Sequence, residues 1–325
     1  MHKKAPADWR AIQRQNFIHW EPLADFLELT LEQRDVLLKQ PQFSLNLPLR
    51  LAKKITKSTL EDPILKQFLP TKSEMTPTVG FSSDPIGDNL SRKSSKLLHK
   101  YDGRALLVCT SACAMHCRFC FRQKFDYETQ SGFEEELALI AADNTLHEII
   151  LSGGDPLSLS NQTLKSLLDR LTSIPHVKRI RFHSRFPIGI PERIDDGLIS
   201  ILASLKQSVW FVVHVNHASE LDYDILERLA ELRKQGILVL NQCVLLKGIN
   251  DNIDALKTLC EMLVDNGIFP YYLHQLDKVV GAAHFEVEEA IGVQLIRQLA
   301  EQLPGYAVPK YVREISGEPS KTSLL

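Results

Sequence analysis

The stretch Cys113-Ala114-Met115-His116-Cys117-Arg118-Phe119-Cys120 decides how this chain is read, with Phe121 and Arg122 directly behind it. Three thiols stand in eight residues, spaced Cys-x3-Cys-x2-Cys, immediately after the apolar run Ala105–Cys109. A chain leaving a strand in this way can wrap a short loop around one compact object. Thiolates are soft ligands, and three of them suit an iron–sulfur cluster or zinc. A four-iron cluster on three cysteines leaves one iron open to a small chelating molecule. Two other readings stand beside this one. Cys117-x-x-Cys120 alone has the spacing of a redox dithiol, which leaves Cys113 unexplained. Zinc needs a fourth ligand, for which Cys109 and His116 are near in sequence. Cys109 ends the apolar run and reads as a small hydrophobe.

Outward from the cysteines, strand-like and helix-like segments alternate. Six β-rich runs, 105–109, 148–151, 179–183, 209–215, 237–245 and 269–276, are separated by helical patterns over 133–143, 164–171, 192–205, 222–235, 253–266 and 287–302. Such alternation gives parallel β/α units with right-handed crossovers, and six of them make a partial barrel rather than the closed eightfold form. The fold class is therefore α/β. Functional groups in these sheets gather at the carboxyl ends of the strands. The chain divides into an N-terminal helical region (1–75), a turn-rich linker and barrel entry (76–103), a core (104–302) and a C-terminal segment (303–325). The N-terminal helices, with Thr30 as one N-cap, carry no evident chemistry and read as a cover on the core.

Composition limits the function. The 325 residues are 44% hydrophobic and 24% charged with a net charge of −2, ordinary globular values with no electrostatic grip on nucleic acid or an anionic membrane. No apolar run reaches membrane-spanning length. Met1-His2-Lys3-Lys4-Ala5-Pro6 leads into no apolar signal-peptide core. Six cysteines with three clustered do not form a disulfide framework, and the expected location is the reducing cytoplasm.

The strand ends hold the remaining candidates. Ser152-Gly153-Gly154-Asp155-Pro156-Leu157 follows the second strand; its glycines permit close backbone approach, and Asp155 can accept from an ammonium group. His214-Val215-Asn216-His217 ends the fourth strand. Asn241-Gln242 interrupts the fifth with amides that need partners, and the sixth leads to Asp277.

The cysteine motif, with Phe119 before its last thiol, is the signature of the radical S-adenosylmethionine (SAM) enzymes. Taken with His99-Lys100-Tyr101-x-x-Arg104, Arg122, Gly153–Leu157, His214-x-Asn216-His217, Asn241-Gln242-x-Val244-Leu245-Leu246 and Tyr272 through His284-Phe285, the chain from about Gly80 to Lys321 resembles the lysine 2,3-aminomutases. That resemblance implies a [4Fe–4S] cluster on Cys113, Cys117 and Cys120, with SAM on its open iron. It implies pyridoxal 5′-phosphate (PLP) on Lys321, which follows Tyr311-Val312-Arg313-Glu314-Ile315-Ser316-Gly317-Glu318-Pro319-Ser320. It further implies that Gly153, Gly154, Asp155, His214 and Gln242 hold SAM, that Tyr101 and Arg104 contact PLP, that Arg122 clamps the substrate carboxylate, and that Asp277 and Glu314 hold the ε-ammonium of free L-lysine. Glu314 stands where the family uses aspartate, and Gly317-Glu318-Pro319-Ser320 replaces its glycine run. Both departures resemble the branch that supplies β-lysine, in the (R) form, for elongation factor P. A reducing electron donor and a functional link to that factor and its lysyl-transferring ligase follow, and a homo-oligomer is compatible with the reading. The alternatives are a 2,3-aminomutase for another amino acid such as glutamate, which would need a cation in place of Asp277 or Glu314, a catabolic lysine aminomutase, and an iron–sulfur electron carrier.

Overall fold

The computed structural model describes residues 8–127 and 132–325, so the reading of Met1–Pro6 lies outside the described residues. A single nine-stranded sheet runs in sequence order, from β1 (Leu97–Tyr101) and β2 (Arg104–Val108) through β3 (Glu148–Ser152), β4 (Arg179–Ser184), β5 (Ser208–His214), β6 (Leu238–Val244), β7 (Phe269–His274) and β8 (Lys310–Arg313) to β9 (Thr322–Ser323). Strands β2 to β8 are parallel neighbours, while β1 and β9 pair antiparallel at the two edges. To the six strand–helix units read from the sequence this adds a seventh parallel strand, β8, and the edge hairpins. Four residues, Lys-Tyr-Val-Arg, carry too short an alternation for β8 to announce itself. Its Tyr311 is fully buried, so tertiary packing makes it a strand.

Alternation along the strands sorts side chains by face. Ile180, Phe182, Phe211, Val213 and Val239 bury one face against helices 161–172, 196–203, 223–234 and 253–265 through Leu167, Leu168, Leu171, Leu202, Leu229, Leu232 and Leu263. Each such side chain contributes roughly 1.5–3 kcal/mol by leaving water, so this packing fixes the register of the strands. The opposite phase carries Arg181, His183, His214, Gln242 and Tyr272, all partly accessible. These polar groups line the inner face. Helix starts follow the side-chain chemistry: Ser160, Asp195, Asp222 and Asn252 each accept a backbone N–H of the first turn. Thr30 forms a capping box with Gln33.

Consecutive crossovers of one hand curl the sheet until its ends meet. Lys100 of β1 forms an ion pair at 2.8 Å with Glu314, just beyond β8 and 214 residues away in the chain. A charged contact thus joins two ends of a sheet whose order leaves them unpaired as strands.

Candidate active site

The cysteine loop is held from two sides. On the sheet side, Cys109 N donates to Ser152 O at 2.9 Å, Gly154 N to Thr110 O at 2.6 Å and Asp155 N to Ala112 O at 2.8 Å. This contact explains the paired glycines. A Cβ on Gly154 would stand 2.4 Å from Ala112 O, and one on Gly153, whose φ is +113°, would stand 2.9 Å from Thr110 O. The backbone that these glycines admit is that of the cysteine loop itself.

On the other side stands the N-terminal region, which does more than cover the core. Gln13 and Asn46 side chains donate to Cys113 O, and the Asn16 side chain to Ala114 O. His116 N donates to Asn46 O and Arg118 N to Gln67 O. The fully buried Arg118 pairs with Glu74 and donates to Phe43 O. His116 turns towards this region, with its Nδ1 2.9 Å from Ser44 O and its ring stacked on Phe43. Cys109 is buried with its Sγ against Leu107 O, and burial pushes its thiol up to about 12. Neither offers itself as a fourth ligand beside the three cysteines. Burial also raises the thiols of Cys113, Cys117 and Cys120, the last to about 11. Three half-buried thiols side by side are costly to ionise without a metal, and a bound cation of matching softness removes that cost. Among the described residues no three such side chains close on a point fit for a single metal ion. A cluster is a wider object than one ion.

Asp155, read in the sequence as an acceptor for the amino group of SAM, is held within the chain in this structure. Its carboxylate accepts from Leu157 N at 3.0 Å, Ser184 Oγ at 2.9 Å, Arg185 N at 2.8 Å and Phe186 N at 2.9 Å. Both oxygens are committed to the chain, tying the end of β3 to the end of β4. An ammonium group would have to compete with four protein donors. Burial raises its pKa to about 6 despite those donors.

At the ends of β1, β7 and β8 the candidates converge. Glu314 accepts from Lys100 Nζ on one oxygen and from Lys321 Nζ on the other. Burial works against its charge, but the two ammonium groups outweigh burial and hold it well below the usual carboxylate range. Asp277 lies close by, partly buried, and its carboxylate has no hydrogen bond or ion pair among the described residues. Burial first, then the Glu314 charge, push it up to about 7, with Lys321 and Lys100 pulling the other way. Tyr101 Oη is buried beside Glu314 but makes no well-formed hydrogen bond among the described residues; burial and the neighbouring Glu314 raise its pKa. Arg104 lies over the Tyr101 ring at 4.6 Å, and Lys321 Nζ lies 6.0 Å from the centre of the Tyr272 ring.

Arg122 is buried and already paired, its Nε 2.8 Å from Asp88 Oδ2 and its Nη1 3.4 Å from Ser152 Oγ. Burial disfavours the cation and Asp88 more than compensates, so its pKa is raised. Nη2 is the edge left open among the described residues. Asp88 also lies 4.0 Å from Lys100. A continuous series of charges, Arg122–Asp88–Lys100–Glu314–Lys321, thus leads from just behind the last cysteine to the C-terminal lysine.

The inner face between them is lined with unsatisfied groups. Nε2 of His183, His214 and His274 are each buried without a partner. The rings of His183 and His214 meet edge to face at 5.6 Å. Burial lowers the His214 pKa to about 3 and holds His183 and His274 far below the usual histidine range, so all three are neutral. Gln242 lies beside His214 in the strand register and makes no side-chain hydrogen bond among the described residues. Its neighbour Asn241, in contrast, is satisfied by Val215 N and O across β5, so no ligand is needed there.

Three charged residues at this site were not among the candidates. Lys100 and Asp88 precede the first parallel strand, where strand-end logic does not look. Arg185 directly follows β4 and could have been found by that logic; its guanidinium is buried against Cys117.

Among known proteins, a family model for a 4Fe-4S single cluster domain matches residues 102–184, from the turn before β2 to the end of β4. L-lysine 2,3-aminomutase of Escherichia coli (strain K12) is 44% identical over 286 residues, covering 87% of this chain and 83% of the relative. The enzyme of the same name from Haemophilus influenzae is 40% identical over 284 residues, covering 86% and 84%. A radical SAM methyltransferase from Sphaerobacter thermophilus shares 22% identity at a TM-score of 0.45, covering 66% of this chain and 68% of that one.

Proposed function

The chain belongs to the L-lysine 2,3-aminomutase family, and on that footing we propose that it is an isomerase acting on free L-lysine. The product is β-lysine, and the bound groups are a [4Fe–4S] cluster on Cys113, Cys117 and Cys120, SAM, and PLP on Lys321. One observation carries this reading: the charge series from Arg122 to Lys321 puts the cysteine loop and the C-terminal lysine at one mouth of the barrel. Unpartnered Tyr101 Oη and the ring nitrogens of His183, His214 and His274 on the same face fit bound groups that complete their hydrogen bonds. When bound, the cluster and SAM supply a one-electron route to breaking the C3–H bond, and PLP a conjugated ring that carries the migrating nitrogen.

The chain's own residues bind and orient. Arg122 presents Nη2 to the substrate carboxylate, with Asp88 fixing the guanidinium. Asp277 receives the ε-ammonium. Its lack of a cationic partner and its raised pKa describe a carboxylate that gains most from one. Glu314 holds Lys321 and Lys100 and becomes a second acceptor when Lys321 Nζ is engaged elsewhere. Lys100 is a cation in this mouth, but it is paired with Glu314 and lies 4.0 Å from Asp88, so it does not select an acidic substrate. His214 and the amide of Gln242 would hold SAM, while Tyr101 and Arg104 would hold PLP. The glutamate at position 314 and the Gly317–Ser320 run support the branch that makes the (R) product for elongation factor P in the cytoplasm. No helix among the described residues is long and apolar enough to cross a membrane.

The test is anaerobic reconstitution with iron and sulfide, then incubation with PLP, SAM, dithionite and L-lysine, with products resolved on a chiral column. (R)-β-Lysine, and its acceptance by the ligase for elongation factor P, is the expected result. SAM cleavage with lysine unchanged would overturn the substrate.

A further inference from the structure

Arg185 is a buried cation aimed at one thiol of the cysteine loop. Its Nη1 lies 2.7 Å from Cys117 Sγ. Nη2 donates to Glu220 Oε2 at 2.7 Å and to Gln67 Oε1 at 2.6 Å. The guanidinium lies 4.9 Å from the centre of the Phe68 ring and 5.6 Å from that of Phe119, the aromatic within the cysteine motif. Glu220 is wholly buried and equally constrained: its other oxygen accepts from Asn216 N, His217 N and Gln67 Nε2. Among the described residues neither Cys113 nor Cys120 receives a side-chain hydrogen bond on sulfur, and the Cys120 sulfur is met only by the backbone N–H of Arg122. The asymmetry is therefore built: an arginine just after β4 reaches Cys117, and a glutamate beyond β5 and a glutamine from helix 63–68 hold its guanidinium.

We infer that Arg185 sets the reduction potential of the cluster bound through Cys117, with Glu220 and Gln67 holding its guanidinium in place. The inference rests on the cluster assignment proposed above. Reduction takes one electron from an external one-electron reductant into the oxidised cluster, and no proton moves and no bond breaks. The added negative charge spreads over iron and sulfur, including the thiolates. A cationic N–H donor on one thiolate stabilises the reduced form more than the oxidised form, and burial keeps water from screening it. Glu220 cancels part of the long-range charge, so the directed hydrogen bond carries much of the effect. The N-terminal region acts here through Gln67 on the electronics of the site. Arg185 is a positioning and tuning residue, not a group that touches lysine.

The experiment is a potentiometric titration of the anaerobically reconstituted full-length chain without SAM. Dithionite is the reductant, and the EPR signal of the reduced cluster is followed after iron content and circular dichroism have been matched. Arg185→Gln is expected to lower the ratio of reduced to oxidised cluster about tenfold at fixed potential, about 59 mV for a one-electron couple. Arg185→Lys, which keeps a cation without the fork, should fall between it and wild type. Gln67→Leu should shift the ratio the same way by less. An Arg185→Gln titration that coincides with wild type overturns the inference. If that variant takes up no iron, Gln67→Leu decides, and an unchanged titration there overturns it equally. A wild-type chain that binds no four-iron cluster overturns the functional reading and this inference together, and iron analysis separates that case from the others.

Discussion

The two sides of the barrel mouth differ in how their polar groups are satisfied. Around the cysteine loop, most buried polar groups are answered from within the chain: Asp155 by four donors, Arg118 by Glu74 and Phe43 O, and the two terminal nitrogens of Arg185 by a thiol, an amide and a carboxylate, while Arg185 Nε and Asn16 Oδ1 have no partner among the described residues. Towards β1, β7 and β8 the pattern reverses. Among the described residues Asp277 makes no ion pair or hydrogen bond, and Tyr101 Oη and Nε2 of His183 and His274 are buried without a hydrogen-bond partner. Unsatisfied buried groups cost stability, so a fold retains a cluster of them where a ligand will complete them. The first side is a finished mould for a loop, and the second is a site waiting for molecules.

Substitutions can break this contrast. The largest effect belongs to Cys117→Ala: iron uptake and conversion of lysine are both expected to be lost while the circular dichroism of the fold is kept, as read by iron analysis and the chiral assay. Next is Asp155→Ala, which strands Ser184 Oγ and three backbone N–H groups in the interior and should cost about 3–5 kcal/mol of stability in denaturant titration. A loss below 1 kcal/mol would show that the finished side is looser than its hydrogen bonds suggest.

Asp277→Asn should act in the opposite sense. Its pKa is raised from the ordinary 3.8 to about 7 in the fold, so between those values the native state holds the proton that the unfolded chain has released. Stability then falls as pH rises across that window, and the penalty is complete above pH 7. The amide removes it, and without added cofactors the variant should be more stable than wild type by about 1–2 kcal/mol at pH 8, with no difference near pH 4. A destabilised variant at pH 8 would mean that Asp277 already has a cationic partner. The smallest stability effect is expected for Lys321→Ala. The lysine is partly exposed and Glu314 keeps Lys100, so the change should stay within about 1 kcal/mol. Absorbance of bound PLP should nevertheless disappear.

Much of this was legible in the sequence. The Cys-x3-Cys-x2-Cys spacing after an apolar run and the alternation of strands and helices are local patterns, encoded in neighbouring residues. They yield an α/β partial barrel with its loop in the right place. Strand-end reasoning pointed to His214 and Gln242, which period two and parallel order place on the inner face, and to Asp277, in the loop after β7. It gave no sign that Ser184 and the N–H groups of Arg185 and Phe186 surround the Asp155 carboxylate, since an acidic group after two glycines does not announce partners from the next strand. It left the N-terminal residues Gln13, Asn16, Asn46 and Gln67 without a task, since their partners lie in a distant loop.

By itself, then, the sequence determined six of the parallel strands, their helices and order, and the residues near the strand ends, all properties of short-range spacing. Only the tertiary structure decided which charges meet. Lys100 reaches Glu314 across 214 residues because one-handed crossovers accumulate curvature until the ends of the sheet face each other. Arg185 reaches Cys117 because β4 ends beside the loop that follows β2. A pairwise ion contact has no period and no fixed separation along the chain, so it becomes visible only when the curvature of the whole sheet is in place.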